Sequence, residues 1–158
     1  MTDLEDVYRK HSADVYRFAL YLSGNAGIAE DITSETFVRV WRQSGEIRVA
    51  TVKAYLLTIA RHLYLRTRRH AARQVELPPA VPDAQPGLDE WVHGRQELEV
   101  VLRALQELPE VDRAAVLMRV DDVPYEDIAE ALQISVAAAK VKVHRARARL
   151  ARSRRTPQ

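Results

Sequence analysis

One stretch decides the fold: Tyr125-Glu-Asp-Ile-Ala-Glu-Ala-Leu-Gln-Ile-Ser135, followed by the basic segment Val136–Gln158. Ile128, Ala129 and Leu132 recur at helical spacing and predict a short amphipathic helix, in which Ala129 is small enough for a second helix to cross closely. We expect Ile134 to reach the core after the turn. Ser135 can accept a hydrogen bond from free backbone N–H groups of the next helix. The pattern predicts a helix-turn-helix.

The second helix of this motif is strongly basic. Val136–Gln158 contains eight Lys or Arg residues and no acidic residue. Such a composition is typical of a helix that enters the major groove of DNA. A solvated basic surface helix is the alternative interpretation, but the preceding E-x-I-A-x-x-L-x-I-S pattern favours a recognition helix. We therefore expect this part of the chain to bind DNA.

The composition favours a helical protein. The chain has 158 residues, of which 47% are hydrophobic and 6% aromatic, so it can build compact cores while its residues favour helix over sheet. It has no cysteine, which excludes disulfides and thiolate metal sites. No stretch approaches the roughly 20 apolar residues that a membrane span needs, and the amino terminus lacks an apolar signal core. We expect a soluble, cytoplasmic protein that does not insert into a membrane.

The net charge of +2 conceals a segregation of charge along the chain. Residues 45–73 carry a net +6, residues 74–135 a net −10, and residues 136–158 a net +8. Two basic blocks separated by an acidic one suggest two separate contacts with nucleic acid.

A proline-rich segment divides the chain. Four of the seven prolines are Pro78, Pro79, Pro82 and Pro86. Proline lacks a backbone donor and disfavours helix in the residue before it. We expect an amino-terminal domain at 1–73, a linker at 74–94, a smaller carboxy-terminal domain at 95–152 and a basic tail at 153–158.

Helical spacing of apolar residues recurs throughout, and no stretch is typical of a strand. Besides the helix-turn-helix, the predicted helices are Leu4–Leu22, Ile28–Trp41, Val52–Leu63 with a basic extension to Arg73, Leu98–Leu108 and Val111–Val120. The sequence therefore predicts an all-α protein with two small helical domains, a helical bundle and a helix-turn-helix domain.

The sequence contains no recognisable catalytic motif. The five His residues are scattered, and no Gly-rich phosphate loop, G-x-S-x-G or H-E-x-x-H is present. Paired acids such as Glu30-Asp31 and Asp121-Asp122 are interpreted as solvated turns or helix-start charges. We expect neither an active site nor a cofactor.

Three motifs, in order along the chain, resemble one protein family. They are Ala29-Glu-Asp-Ile-Thr-Ser-Glu-Thr-Phe-Val-Arg-Val-Trp-Arg42, then Ala54-Tyr-Leu-Leu-Thr-Ile-Ala-Arg-His62, and then Leu108-Pro-Glu-Val-Asp-Arg-Ala-Ala-Val-Leu-Met-Arg119 with the helix-turn-helix and Val143-His-Arg-Ala-Arg-Ala-Arg-Leu150. These are similar to regions 2.2, 2.3 to 2.4, and 4 of the extracytoplasmic-function (ECF) sigma factors of bacteria. The resemblance covers about residues 7–73 and 96–150. It implies a non-catalytic specificity subunit that brings RNA polymerase to a promoter and helps to melt it.

The resemblance implies that the second predicted helix docks on the clamp helices of the polymerase β′ subunit. Asp31 and Glu35, one helical turn apart, would present carboxylates along one side of that helix. Alternatively, Asp31 is a favourable charge in the first turns of a helix. Ser34 stands where many members have Gln. The expected polymerase-binding residues are Asp31, Ser34, Glu35, Arg39 and Trp41.

Recognition of the −10 promoter element is implied for the loop at 44–51 and the helix after it. In this family the loop captures a base flipped from the non-template strand, and nearby cations hold phosphates. His62 stands where relatives often have Asn. Tyr64 could stack on a base, whereas core packing is favoured for Tyr55. The expected −10-binding residues are Ser44, Glu46, Arg48, Lys53, Arg61, His62, Arg66 and Arg69.

The helix-turn-helix would bind the −35 element. Lys140 and Arg145 can donate to guanine O6 and N7, and Val141 can contact a thymine methyl group. Gln133 occupies a turn position that commonly takes a left-handed residue, at a cost of about 1 kcal/mol for a residue other than Gly. The expected −35-binding residues are Ala137, Lys140, Val141, Lys142, His144, Arg145 and Arg147.

The partners implied by the resemblance are core RNA polymerase, through its β′ clamp helices and β flap, promoter DNA, and an anti-sigma factor. The free protein is expected to be a monomer. One alternative is a one-component regulator that binds an operator, but it has no need for the Asp31/Glu35 helix and a second basic block. Another alternative is a sigma mimic that occupies an anti-sigma factor without binding DNA. The intact basic residues of both domains argue against this alternative. An enzyme is a distant further alternative.

Overall fold

The computed structural model describes residues 4–43, 51–73 and 92–155. These residues form seven α-helices and no strand. The helices are α1 (Leu4–Ser23), α2 (Ala26–Arg42), α3 (Val52–Arg73), α4 (Val92–Gln106), α5 (Glu110–Val120), α6 (Tyr125–Leu132) and α7 (Val136–Arg155). The all-α prediction is confirmed. The helix α4 begins at Val92, within the stretch expected to be linker, and α7 continues into the stretch expected to be tail. The rest of the predicted linker lies outside the described residues.

The turn between α1 and α2 is built by a glycine and a helix cap. Gly24 has φ +71°, a left-handed conformation that is strained for a residue with a side chain but not for glycine. Its N–H donates to Leu20 O at 2.7 Å. The Asn25 side chain then accepts from the backbone N–H of Ile28 at 2.9 Å, which satisfies one free donor at the start of α2. The two helices are thereby fixed as antiparallel neighbours.

Helices α1, α2 and α3 form the amino-terminal half, and each contributes an apolar face to one core. Phe18 from α1, Ile32 from α2 and Leu56 from α3 are almost completely buried there. Phe37 and Val40 are also buried, as expected for core residues at this spacing. Packing of this stripe, rather than helix propensity, holds the three helices together.

Helices α4 to α7 form the carboxy-terminal half, in which α5 is the central element. Every residue from Asp112 to Met118 is buried, because α5 is covered on several sides. Asp122, at φ 63°, turns the chain into α6.

The helix-turn-helix is present as predicted. Gln133 adopts the left-handed conformation, with φ 59° and ψ 46°. Ile134 is half-buried against the core, and Ser135 Oγ accepts from the N–H of Ala138 at 3.0 Å. Ala129 is buried beneath the crossing helix. Local sequence signals therefore determine this motif.

The two halves pack against each other and share one hydrophobic core. Gln106, at the end of α4, donates through Nε2 to the backbone oxygens of Leu22 at 3.1 Å and Tyr21 at 3.3 Å. These carbonyls belong to the last turn of α1, where intrahelical partners are missing. A side chain at Gly24 would approach Gln106 to 3.1 Å, so the glycine also permits this contact.

Candidate nucleic-acid interface

The basic helix α7 presents one face to the core and the opposite face to solvent. Ala139, Val143 and Ala146 are buried, because α5 and α6 cover that side. Ala137, Val141 and His144 are exposed, and Val141 is exposed by 58%. A large apolar side chain on an exposed basic helix is suited to contact with a thymine methyl group.

Lys140 lies on the flank of α7 that faces α6. Its Nζ is 5.7 Å from the centre of the Tyr125 ring, and the guanidinium of Arg119 is 4.5 Å from the same ring. Contacts of this kind attract a cation to the ring face while its polar end remains in water. Tyr125 therefore holds Lys140 near the exposed face of α7. Arg147, further along the same helix, is also exposed.

Arg145 and Lys142 lie on the other flank of α7 and share one carboxylate. Arg145 Nε donates to Asp112 Oδ2 at 3.0 Å, and Arg145 Nη2 donates to Asp112 Oδ1 at 3.3 Å. Lys142 Nζ is 3.5 Å from Asp112 Oδ1. The Asp112 side chain is 2% exposed, whereas that of Arg145 is 53% exposed. Lys142 is turned towards the protein, while Arg145 bridges a buried acid and solvent.

Sequence reasoning missed Asp112. It lies inside the buried part of α5, and an acid in the first turn of a helix is ordinarily interpreted as a favourable charge at the helix start. A signal was nevertheless available, because a carboxylate within a run of apolar residues has to find a cationic partner.

Arg61, one of the expected −10-binding residues, is paired with the carboxy-terminal half. Its Nε and Nη2 donate to the two carboxylate oxygens of Glu110 at 2.8 and 2.6 Å. Both side chains are about one-tenth exposed. Bidentate arginine–carboxylate pairs are among the strong hydrogen bonds of proteins, so Arg61 is not free to hold a phosphate in this arrangement.

Lys53 makes a second contact between the halves. Its Nζ is 3.5 Å from Asp14 Oδ2 and donates to the backbone oxygen of Asp121 at 3.4 Å. The Asp121 carboxylate accepts from Arg17 Nη2 at 3.0 Å, and this hydrogen bond raises the pKa of Arg17 above its ordinary value. Thr51 donates to Asp127 Oδ2 at 3.1 Å. In these contacts between the halves, the amino-terminal half supplies the donors and the carboxy-terminal half supplies the acceptors.

Arg66 and Arg69, the other expected −10-binding cations of α3, lie on an exposed surface. Arg66 and Arg69 line an open groove of about 1040 Å³ between α2 and α3, together with Asp31, Ser34 and Glu35. His62 lies on the same helix, and partial burial, followed by the positive charges of Arg61 and Arg39, lowers its pKa below the ordinary value. The expected loop residues Ser44, Glu46 and Arg48 lie outside the described residues.

The expected polymerase-binding residues share one helix, α2. Asp31 and Ser34 are exposed, and Glu35 is half-exposed with its Oε1 3.9 Å from Arg39 Nε. Trp41 is 71% exposed, the largest exposure among the large hydrophobic side chains of the described residues. The structure brings the two acids together on one side of α2, as the spacing predicts.

The two tyrosines of α3 have different surroundings. Tyr64 is 6% exposed, and its hydroxyl accepts from Arg113 Nη2 at 3.2 Å. The Tyr64 ring is therefore not accessible to a base in this arrangement, because it is buried against Arg113 of the carboxy-terminal half, and base stacking by Tyr64 stays a prediction. Tyr55 packs against the core, as expected, and its hydroxyl is hydrogen-bonded to Gln43.

The parts of the chain that the structure describes lack two further features. No group of three or more His, Cys, Asp or Glu there is arranged to hold a metal ion. None of the helices formed by those residues is long and apolar enough to cross a membrane.

Comparison with protein families gives two matches in chain order. The Sigma-70 region 2 model matches residues 7–74, and the Sigma-70, region 4 model matches residues 98–150. The first match corresponds to the amino-terminal half with its three helices. The second corresponds to α4 through most of α7 and includes the helix-turn-helix.

Individual relatives and structures agree with these matches. The chain is similar to the ECF RNA polymerase sigma factor SigE of Mycolicibacterium smegmatis, with 32% identity over 156 residues, which are 95% of this chain and 61% of SigE. It is 32% identical over 139 residues to the ECF RNA polymerase sigma factor EcfG of Rhodopseudomonas palustris, covering 84% of this chain and 75% of EcfG. The sigma factor RpoE of Bartonella quintana, solved in complex with the anti-sigma factor NepR, matches over 100% of both chains with a TM-score of 0.78 and 26% identity.

Proposed function

The chain belongs to the ECF family of RNA polymerase sigma factors, and we propose that it binds core RNA polymerase and directs it to promoters through one contact in each half. It is a non-catalytic specificity subunit in this proposal. The observation that carries it is the exposed basic face of α7, set by the Ser135 cap and the Gln133 turn, on the same chain as the acidic side of α2.

The carboxy-terminal half binds the −35 element in this proposal. The exposed Val141 and His144 lie on the outer side of α7, with Lys140 and Arg145 on its two flanks. An α-helix inserted in the major groove contacts base edges with its outer side and with long side chains that reach the groove floor from its flanks. Ala137 is small and allows close approach of the helix to the groove. Arg147 contributes positive charge to this surface. The Lys142 side chain points towards Asp112 instead of into solvent.

The amino-terminal half binds and opens the −10 element. Arg66 and Arg69 are exposed, whereas Lys53 and Arg61 are held by the carboxy-terminal half. Use of all these cations on single-stranded DNA therefore requires the two halves to separate. Core polymerase and promoter DNA would provide the free energy of separation, because they bind the open arrangement with higher affinity.

Helix α2 is the docking surface for the polymerase β′ clamp helices. Asp31 and Glu35 supply negative charge, and Trp41 supplies exposed apolar area. Charge complementarity of this kind orients partners, and a central aromatic residue commonly contributes much of the affinity. An anti-sigma factor is a further partner, a proposal supported by the complex in which the similar sigma factor RpoE was solved.

A binding experiment with matched variants tests the docking surface. The double substitution Asp31→Lys and Glu35→Lys reverses two charges one turn apart on α2. It should weaken binding to an isolated β′ clamp-helix fragment by more than either single change, with helicity unchanged by circular dichroism. The control is Glu126→Lys with Glu130→Lys, which reverses two exposed charges at the same spacing on α6. If the α2 variant bound the fragment as tightly as the control, the docking assignment would be wrong.

A further inference from the structure

We propose that Asp112 is a positioning residue for promoter recognition: it holds Arg145 side-on, so that the free end of the guanidinium is presented to a guanine in the major groove of the −35 element. The proposal rests on the proposed function. It adds a residue that does not contact DNA itself and lies on a helix other than the recognition helix.

The hydrogen-bond pattern shows which donors Arg145 has left. Arginine has five N–H groups in a planar fork. Asp112 receives one N–H from Nε and one from Nη2. The second N–H of Nη2 and the two of Nη1 remain, and two of these form the end-on pair that can donate together to guanine O6 and N7.

The burial pattern explains why Asp112 can do this. Its carboxylate is 2% exposed, so it is a fixed point inside the domain, whereas the Arg145 side chain is 53% exposed. A long side chain on a surface helix ordinarily samples many rotamers, and its ordering on binding costs free energy. Anchoring the inner side of the guanidinium to a buried group removes part of that cost before DNA arrives. Lys142 Nζ, at 3.5 Å, adds a second positive charge beside the same carboxylate.

A positioning role and a purely electrostatic role of Asp112 predict different results when its charge is neutralised. Asp112 adds negative charge beneath a helix that faces DNA, so its neutralisation alone would tighten binding to every DNA sequence. If Asp112 instead orients Arg145, its neutralisation selectively lowers the preference for guanine at one base pair. The end-on contact of Arg145 with guanine contributes roughly 5- to 150-fold discrimination, the range for one bidentate base contact.

The test measures base preference rather than affinity alone. Core RNA polymerase carrying the full chain is incubated with promoter DNA randomised across the −35 element, and the bound DNA is sequenced. Asp112→Asn should lower the guanine preference at one base pair by a large part of the amount that Arg145→Ala lowers it. In the Arg145→Ala background, Asp112→Asn should cause no further change in preference. Asp121→Asn is the matched control, because Asp121 is also buried and paired with an arginine, but not with one on α7.

A second variant keeps the test independent of folding. Arg145→Lys changes a half-exposed side chain and retains its charge, but a lysine cannot bind Asp112 side-on and still offer an end-on pair. Because a lysine can itself donate to guanine, this variant should reduce the guanine preference without abolishing it, while overall affinity for non-promoter DNA stays the same. The inference is overturned if Arg145→Lys keeps the wild-type preference, or if Asp112→Asn changes affinity equally for all sequences. Wild-type polymerase complexes with no −35 preference at all would contradict the proposed function as well.

Discussion

Glu110→Ala removes the partner of a buried guanidinium and should strongly destabilise the docked arrangement of the two halves. Arg61 and Glu110 form two hydrogen bonds of 2.8 and 2.6 Å, with side chains 10% and 11% exposed. Removal of one member of a buried ion pair typically costs about 3–5 kcal/mol, because the other charge remains without a partner. Separation of the halves would hydrate Arg61, so the observed loss cannot exceed the free energy that holds them together.

A double-mutant cycle isolates the interaction itself. Because Glu110 also lies in the first turn of α5, its removal loses a favourable helix-dipole contact in either background. The cycle of Arg61→Ala and Glu110→Ala cancels that loss, and we expect a coupling of about 2–3 kcal/mol, near the upper end for contacting residues. Free energies of unfolding from urea denaturation, followed by circular dichroism, supply the four corners.

The control is the exposed pair Arg9 and Glu5, which are 2.6 Å apart with side chains 73% and 66% exposed. An exposed i,i+4 pair couples by about 0.3–0.5 kcal/mol. A coupling for Arg61 and Glu110 no larger than this control value would refute the reasoning, because it would mean that the pair is as solvated as a surface contact.

Three further predictions concern Arg61, the cap at Ser135 and the half-buried His11. Glu110→Gln should raise the affinity of the full chain for a single-stranded −10 oligonucleotide by up to roughly tenfold, since about 1.4 kcal/mol of the competing interaction between Glu110 and Arg61 is lost. Fluorescence anisotropy measures this affinity, and the gain should be absent from the Arg61→Ala, Glu110→Gln variant. Ser135→Ala should lower the free energy of unfolding by about 1 kcal/mol, because the N–H of Ala138 loses its acceptor, and an unchanged denaturation midpoint would show that water replaces the cap fully. Burial lowers the pKa of His11 below its ordinary value of 6.5. As the pH falls, the unfolded chain therefore binds a proton before the folded chain does, and the free energy of unfolding should fall below about pH 6.5. His11→Gln should flatten that decline in urea titrations between about pH 5 and pH 7.5, and a decline equal to that of the wild type would assign it to other groups.

Local features of this fold were predictable from the sequence. The cap at Ser135, the left-handed Gln133 and the stripe of Ile128, Ala129 and Leu132 each depend on neighbouring residues, and all three are present in the structure. Signals of this kind agree with one another within a few residues, which is why the helix-turn-helix is specified so clearly.

Interactions between distant residues were not predictable. Arg61 and Glu110 are 49 positions apart, and nothing in either local pattern says that the two halves dock and pair them. The same docking buries Tyr64 against Arg113. The contact of Asp112 with Arg145 depends on the crossing of α5 and α7. Sequence identified Arg145 as a cation on the recognition helix, but the position of its guanidinium follows from tertiary packing.

The most direct test of the central claim is transcription in vitro. Core RNA polymerase is combined with the purified chain and a pool of genomic promoter fragments, and the transcripts are sequenced. We expect initiation from a defined subset of fragments that share a −35 and a −10 element at constant spacing. This initiation should be lost with the Asp31→Lys, Glu35→Lys variant and kept with the Glu126→Lys, Glu130→Lys control. Transcript starts that are the same with and without the chain would contradict its assignment as a promoter-specificity subunit.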